Sequence, residues 1–396
     1  MEVVSLRKLL FSLLALGLLL SGCGTPQHRA ASPAVHVPAA DGETPSTIPS
    51  AAAPARSAGA ASAAAAGSGI NVYASTIAGR VLPKLASLRP LVYVPNSGAR
   101  TVDVIDPASM KIIDSFRVGS VPHHVFPSFD MSTLYVGNTA SNTLTQIDVK
   151  THRPVRTIPV TDPYNLYWPW VGGVKAMVVA ERFNRVDFRD PTTFKLIKSV
   201  PVAWRGIDHG DFTADGRYWL GSTEYSGIVV KIDVVAMKLV DYVQVGGLPI
   251  DIRLAPDGTK MFVANQGSNG VTVLDPATLK ILKFIPTGRG AHGFQISRDT
   301  RKVYVGNRRA GTISVIDVAS LRVVRTWHVG GSPDMMQLNW AGTRLWVSNR
   351  YNASVSVIDT TTGRVIKSFH TGDQAHGLTF FPSPGDRCTG HNGVYR

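Results

Sequence analysis

Short runs of alternating Val, Ile, Tyr and Thr residues recur from Leu91 almost to the C-terminus, and turn residues separate them. Seven runs end in Asp, after an apolar residue in six of them and after Arg189 in the third, with successive aspartates 42, 42, 43, 42, 42 and 42 positions apart: Asp106, Asp148, Asp190, Asp233, Asp275, Asp317 and Asp359. An interval of this length holds four short strands, which is one blade of a propeller. The pattern therefore predicts an all-β fold, a seven-bladed β-propeller.

The order of strands within the repeat also predicts how the ring closes. The first unit begins with its second strand at Leu91, so it lacks an innermost strand. The C-terminal run from His376 to Phe381 has the required pattern and is predicted to supply that strand, which removes an open sheet edge. The propeller is predicted to cover residues 70–396. Residues 71–90 fit only a short helix or a cap beside the ring.

Polar residues at fixed places in the repeat are predicted to be structural. The seven aspartates precede turns, three of them with Pro next, and a carboxylate there accepts hydrogen bonds from the turn backbone. An Asn stands ten residues before five of these aspartates, where it is expected to satisfy loop backbone groups: Asn96, Asn138, Asn265, Asn307 and Asn349.

The N-terminus differs in composition and is predicted to be a targeting segment. Arg7 and Lys8 precede an apolar run from Leu9 to Leu20, which suits a signal peptide. Leu20-Ser21-Gly22-Cys23 resembles the bacterial lipobox, although an ordinary secretory signal is the alternative. We therefore expect a signal peptide at 1–22, lipid on Cys23, and an Ala/Pro/Ser-rich tether at 23–69. These features imply a lipid-anchored protein on the extracytoplasmic face of the cell membrane.

Five units carry a recognisable phrase at the end of the second strand. Tyr93-Val-Pro-Asn96 and Tyr135-Val-Gly-Asn138 are examples, and they resemble the YVTN-type β-propeller repeat of secreted and surface-layer proteins. Two units depart from the phrase, with Val178-Val-Ala-Glu181 and Leu220-Gly-Ser-Thr223. Broader relatives of similar architecture include lactonase-like propellers and the haem d1 or copper-bearing propellers of respiratory reductases. The family has no single activity, so the resemblance implies fold and not function.

Composition and missing motifs narrow the classes of function. Two cysteines exclude a disulfide scaffold and an iron–sulfur protein. Phosphate-loop, zincin, haem-attachment and nucleophile-elbow motifs are absent. The formal net charge of +14 favours anionic partners, such as a small molecule, a glycan or an envelope protein. Nucleic acid has no support beyond this charge. Cys388 with His391 is a weak soft-metal pair, and a lone thiol is the favoured interpretation.

Candidate chemistry lies where the innermost strands begin, because these positions converge near the axis of a propeller. Five of the 11 histidines fall in these windows, against about 0.8 expected by chance. Polar rim lining, a small-ligand pocket and a metal or cofactor site all remain open. Together with loop arginines on the same face, the predicted ligand-binding residues are His123, His124, Asn165, Asp208, His209, Asp251, His292, Asp334, His376, Arg182, Arg205, Arg308 and Arg350.

Three functions are consistent with this pattern. The preferred prediction is a membrane-tethered binding module that recognises an anionic ligand or an envelope partner. The alternative is a metal- or cofactor-dependent oxidoreductase or lactonase-like hydrolase, with copper or zinc as the divalent metal and Asp208 or Asp251 as base. Its candidate metal ligands are His124, His209, His292 and His376. The third is a structural protein of the cell surface.

Overall fold

The computed structural model describes residues 69–391 and 393–396, and it contains seven antiparallel sheets arranged as the blades of one ring. Each blade runs from an innermost strand at the axis to an outermost strand at the rim. The seven-bladed all-β prediction is confirmed. The predicted signal peptide, lipidation site and nearly all of the tether lie outside the described residues.

The strands of blades 1 to 4 are given from the axis outward. They are β28 (Thr379–Phe381), β1 (Leu91–Asn96), β2 (Thr101–Asp106) and β3 (Lys111–Arg117); β4 (Pro122–Pro127), β5 (Thr133–Asn138), β6 (Thr143–Asp148) and β7 (Pro154–Pro159); β8 (Asn165–Tyr167), β9 (Ala176–Ala180), β10 (Arg185–Arg189) and β11 (Leu196–Pro201); β12 (Ile207–Phe212), β13 (Tyr218–Thr223), β14 (Ile228–Asp233) and β15 (Lys238–Gln244).

Blades 5 to 7 follow the same order, and blade 3 carries two further strands on its axial side. The remaining strands are β16 (Pro249–Leu254), β17 (Met261–Asn265), β18 (Gly270–Leu274) and β19 (Ile281–Pro286); β20 (Ala291–Ile296), β21 (Lys302–Asn307), β22 (Thr312–Asp317) and β23 (Arg322–His328); β24 (Pro333–Leu338), β25 (Arg344–Asn349), β26 (Ser354–Asp359) and β27 (Val365–His370); and, next to β8, β29 (Cys388–Gly390) and β30 (Val394–Tyr395).

The hydrophobic core lies between the blades. The inner three strands of a blade are buried on both faces, as in β1, whereas the outermost strand β3 is mostly exposed. Large side chains such as Trp168, Trp219 and Trp346 fill the gaps between neighbouring blades. Because close packing holds the inner strands from both sides, it fixes the position of the side chains at the axis.

Ring closure follows the predicted arrangement. Strand β28 pairs antiparallel with β1, with Leu91 opposite Phe381 and Tyr93 opposite Thr379. The turn aspartates also act as predicted: Asp190, for example, accepts hydrogen bonds from the backbone N–H groups of Thr192 and Thr193. These short-range contacts explain why Asp recurs with the period of the blade.

The repeated asparagines differ in part from the expectation. Asn265 does satisfy loop backbone, since its Oδ1 accepts the N–H groups of Leu248 and Ser268. Asn138 instead donates from Nδ2 to Thr145 Oγ1 on the adjacent strand, at 2.9 Å. The physical reason is that Asn138 Nδ2 faces the hydroxyls of Thr143 and Thr145 on the paired strand, while its Oδ1 has no hydrogen-bond partner among the described residues.

The segment before β1 packs against the loops in which several innermost strands end. It contains two 3-10 turns, Ala74–Thr76 and Pro83–Leu85, and its Val72 N–H donates to Pro256 O. Three more such turns, Glu181–Phe183, Glu224–Ser226 and Arg350–Asn352, follow second strands. No helix among the described residues is long and apolar enough to cross a membrane.

Candidate metal centre

Five innermost strands contain a β-bulge at the positions that the sequence singled out. In blade 2, Pro122 pairs with Asn138 and Val125 with Val136, so His123 and His124 stand outside the ladder. The same slip occurs in blades 4, 5, 6 and 7, where it frees the pairs Asp208-His209, Ile250-Asp251, His292-Gly293 and Asp334-Met335. A bulge bends the strand and changes the direction of its side chains. In these five blades the bulge therefore places one or two side chains outside the ladder, one in blade 6, where the second residue is Gly293, and two in the others.

Six buried imidazoles meet at the axis. Five are predicted residues: His123, His124, His209, His292 and His376. Their ring centroids are close, with 4.4 Å between His123 and His376 and 5.0 Å between His124 and His209. The sixth is His391, whose ring lies 4.3 Å from that of His209.

Three of these rings converge on one point. The Nε2 atoms of His124 and His209 are 3.1 Å apart, and a nitrogen of His391 lies within 4.8 Å of both. Nitrogen ligands at 2.0–2.1 Å from a tetrahedral ion are about 3.3 Å apart. The His124–His209 pair therefore fits a bound metal, and His391 is close enough to join it by a small movement of its ring.

The surroundings orient both rings of this pair. Asp208 Oδ1 contacts His209 Nδ1, which leaves His209 Nε2 facing His124. A carboxylate behind a metal-binding imidazole is the usual outer-shell arrangement of such sites. On the other side, Gly377 makes room for His124, since a Cβ atom there would clash with His124 Nδ1.

Burial keeps the five imidazoles that the repeat contributes neutral at pH 7, because desolvation disfavours the charged ring. It lowers the pKa of His209 and His292 to about 4 and lowers the pKa of His123, His124 and His376 well below the usual range. Neutral rings have a free lone pair for a metal ion. Burial also raises the pKa of the Asp208 carboxyl to about 8, and a hydrogen bond from Tyr164 opposes this shift.

The opposite half of the ring carries an ion pair. Asp334 Oδ1 accepts from Arg308 Nη2 at 2.5 Å and lies 2.9 Å from His292 Nδ1, while Asp334 Oδ2 lies 3.4 Å from His376 Nε2. Arg308 Nη2 also donates to His292 Nε2, at 2.6 Å. The Arg308 guanidinium and His292 hold the pKa of Asp334 far below its usual value, although burial acts against them. The charge of the Asp334 carboxylate is therefore already balanced by a cation of the protein, Arg308.

Three other predicted residues, Asp251, Asn165 and Arg182, differ from one another in their contacts. Asp251 Oδ2 accepts the N–H of Phe294, and Asp251 Oδ1 lies 3.8 Å from His391 Nε2. Asn165 is fully buried at the start of β8, and neither side-chain polar atom has a hydrogen-bond partner among the described residues. Arg182 Nε pairs with Asp162 Oδ1 at 3.0 Å.

The other two predicted arginines are less constrained. Arg205 is exposed, and its backbone N–H donates to Ser226 Oγ. Arg350 is half-buried, and its Nε has no partner within the described part of the chain. The sequence interpretation missed two carboxylates, Glu181 and Glu224, whose pKa values burial raises to about 8 and about 7. The signal for them was present, because both belong to the units that depart from the Asn phrase.

His391 was missed as a site residue because it lies outside the repeat. Its neighbour Cys388 was noted with it as a soft-metal pair, but Cys388 does not belong to the three-nitrogen group. Cys388 is fully buried among apolar side chains, its Sγ faces Gly390 O at 3.8 Å, and burial raises the pKa of its thiol to about 12. A neutral thiol buried in apolar surroundings is inert.

The fold and its axis define a class: a seven-bladed β-propeller with a buried cluster of imidazoles at its centre. The YNCE-like beta-propeller family model matches residues 51–383, and the chain belongs to that family. The match ends before Cys388 and His391. Among curated proteins no significant match was found.

Solved structures with the same fold are distant in sequence. A protein of unknown function from Desulfotomaculum acetoxidans is 19% identical with a TM-score of 0.63, covering 73% of this chain and 98% of its own. Kuenenia stuttgartiensis hydrazine synthase is 19% identical with a TM-score of 0.59 and covers 68% and 92%. Dihydro-heme d1 dehydrogenase NirN is 16% identical with a TM-score of 0.57 and covers 78% and 80%. At these identities the likeness extends to the fold alone.

Proposed function

We propose that this protein is a metal-binding β-propeller that holds one copper or zinc ion on its axis. The observation that carries the proposal is the group of three buried imidazoles, His124, His209 and His391, with nitrogens within 4.8 Å of one another. All three imidazoles are buried, and the strands that carry His124 and His209 are buried along their whole length, so the site is desolvated and held in place. Grouping neutral imidazoles in this way suits copper and zinc better than magnesium or calcium, which prefer oxygen.

Three protein nitrogens leave a coordination position for water or an outside ligand, as in catalytic zinc sites. The Tyr164 ring lies 5.8 Å from His209 and 6.2 Å from His124, whereas His391 approaches the pair from β29. Metal-dependent catalysis, as an oxidoreductase or hydrolase, is an extension of this proposal that needs a substrate to be found.

The proposal is tested by metal analysis of the full chain, purified without a histidine tag. We expect about one equivalent of copper or zinc, and its loss in the His124→Ala/His209→Ala double variant. His370→Ala is the matched control, because His370 is exposed on the outer strand β27. A chain that remains folded and binds neither ion would contradict the proposal.

Anion binding at the mouth of the channel is the second candidate. It is supported by Arg350, whose buried Nε lacks a partner among the described residues, and by the formal charge of +14. Arg308 supports it less, because Asp334 already pairs with its guanidinium. Thermal shift with phosphate, carboxylates and acidic glycans tests it: stabilisation of the wild type that is lost in Arg350→Gln supports it, and no shift with any of them contradicts it.

We also propose that the protein is anchored by lipid on Cys23 outside the cytoplasm, which the lipobox-like Leu20-Ser21-Gly22-Cys23 supports. Metabolic labelling with a fatty acid, followed by fractionation, tests this. Label and membrane association should both be lost in Cys23→Ser. Equal labelling of the variant would contradict the anchor without affecting the metal proposal.

A further inference from the structure

The C-terminal segment closes one end of the channel. Strands β29 and β30 form a hairpin, the C-terminal hairpin, with Gly390 opposite Tyr167 of β8 and Cys388 opposite Tyr395. Together with Ser383 and Arg396, this segment contacts all seven blades. In the order of blades 1 to 7, the contacts are Tyr395 with Phe380, Cys388 with Phe129, His391 with Leu166, Arg396 with Asp211, His391 with Asp251, Ser383 with Arg298, and Gly393 with Gln337.

The backbone of the hairpin is shaped to deliver His391 to the axis. Gly390 has φ +128°, and a Cβ atom there would lie only 2.5 Å from Tyr167 Cα, so the close pairing with β8 requires glycine. His391 itself adopts φ +54°, in the left-handed region that non-glycine residues seldom occupy. Its N–H donates to Leu166 O at 2.9 Å, which fixes the ring beside His209. Strained residues of this kind persist where the surrounding structure holds them.

The three metal-facing rings come from three separate parts of the chain. His124 belongs to blade 2, His209 to blade 4, and His391 to the hairpin between them. We propose that the C-terminal hairpin is a plug fastened by metal: His391 completes the site, and the bound ion ties the hairpin to the two blades. This inference rests on the proposed metal binding.

By thermodynamic linkage, metal binding and docking of the C-terminal hairpin stabilise each other. If the ion binds the docked hairpin and not the released one, it stabilises docking by the same factor by which docking raises its affinity. At a free ion concentration 100 times Kd, the released population falls about 100-fold. The hairpin also leaves little space at its end of the channel, since the cavity beside Tyr395 and Gly393 measures only about 20 Å³.

Hydrogen exchange of the full chain, with and without zinc, tests the plug. Two amides report on docking directly: the His391 N–H bonded to Leu166 O, and the Trp168 N–H bonded to Thr389 O. We expect zinc to slow exchange at both by up to about 100-fold, while amides of β27 change little. In His391→Ala, zinc affinity should fall more than about 100-fold, because loss of even an outer-shell partner costs 10–100-fold. His370→Ala should behave like the wild type.

The outcomes separate the two proposals. If the wild type binds zinc but hairpin exchange does not slow, or if His391→Ala binds zinc equally well, the plug is overturned and metal binding stands. If the wild type binds no metal, both fall. Should His391→Ala fail to fold, His391→Gln and the exchange experiment on the wild type, which needs no variant, decide the question.

Discussion

Two halves of the axial channel are built from the same bulged strand starts, yet they differ in how charge is balanced. On the side of blades 6, 7 and 1, Asp334 has a resident cation in Arg308 and lies beside His292 and His376. On the side of blades 2 and 4, His124 and His209 face each other at 3.1 Å, and no protein cation stands between them. The first half is complete by itself, whereas the second has the donor set for an added cation.

Arg308, the arginine at the axis, has a structural role in the first of these halves. Arg308 Nη2 reaches both Asp334 and His292, which is what a metal ion would do in its place. Because a guanidinium is always charged at physiological pH, this half needs no ion to stay satisfied. The half with His124 and His209 pairs two neutral rings with the Asp208 carboxyl, and Asp251 lies 3.8 Å from His391, so under the proposed metal binding its charge balance depends on the ion.

The ion-paired half should respond most strongly to loss of its carboxylate. Asp334→Ala leaves the buried Arg308 without its partner, and we expect the free energy of unfolding to fall by roughly 3–5 kcal/mol. Denaturant unfolding at pH 7 measures this. Asp257→Asn is the control: its ion pair with Lys260 lies near the surface and should contribute less than about 1 kcal/mol. Equal effects of the two variants would remove the distinction between the halves.

In the half that contains His124 and His209, a substitution should mainly change the affinity for metal. We expect His209→Ala to weaken zinc or copper binding more than about 100-fold, because a direct ligand is lost and even outer-shell losses cost 10–100-fold. His292→Ala, from the other half, should change affinity only a few-fold. Isothermal titration of both variants decides this. An equal loss of affinity in His292→Ala would mean that the ion sits elsewhere in the imidazole cluster.

The carboxylate behind His209 should have an intermediate effect. Asp208→Asn keeps the shape of the side chain but replaces its carboxyl group with an amide, which cannot become a carboxylate behind His209. We expect metal affinity to fall 10–100-fold with little change in fold. The near-ultraviolet circular dichroism spectrum verifies the fold, and the titration measures affinity. Unchanged affinity would show that Asp208 does not support the site.

Acid should act on the ion-paired half through His292. Its pKa in the folded chain is about 4, against about 6.5 when unfolded, so between these values the unfolded chain binds more protons. Stability from this residue is therefore present above pH 6.5 and is lost as the pH falls towards 4. The free energy of unfolding of the metal-free chain, measured by urea titration, should be lower at pH 5 than at pH 7, and this histidine should contribute at most about 2 kcal/mol of the decrease. The free energy of unfolding of His292→Gln should decrease less over the same pH range. A larger decrease in the variant would contradict the assignment of this pH dependence to His292.

Much of this architecture could be predicted from the sequence because it is local and repeated. Asp190 binds the turn two and three residues away, so the same requirement recurs in every blade at the same place. The closing strand could be predicted for a similar reason, since the first unit lacks its innermost member. The starts of the innermost strands carried His123, His124, His209, His292 and His376, and the structure brings these residues together.

The rest depends on contacts between residues far apart in sequence. His391 belongs to no repeat, and only the pairing of β29 with β8 brings it to His209. The sequence predicted that Arg308 would be available to bind an anionic ligand, but its guanidinium pairs with Asp334 of the next blade. The bulges that turn His123 and His124 to the axis arise from the register between two strands, which spacing within one strand does not report.

We propose that three imidazoles, one of them from the C-terminal hairpin, hold one metal ion at the axis. X-ray absorption spectroscopy of the full chain loaded with one equivalent of zinc measures this directly. We expect three nitrogen neighbours of imidazole type at 2.0–2.1 Å and one further light atom, with one imidazole fewer in His391→Ala. A first shell of sulfur, or the same imidazole count in wild type and variant, would contradict it.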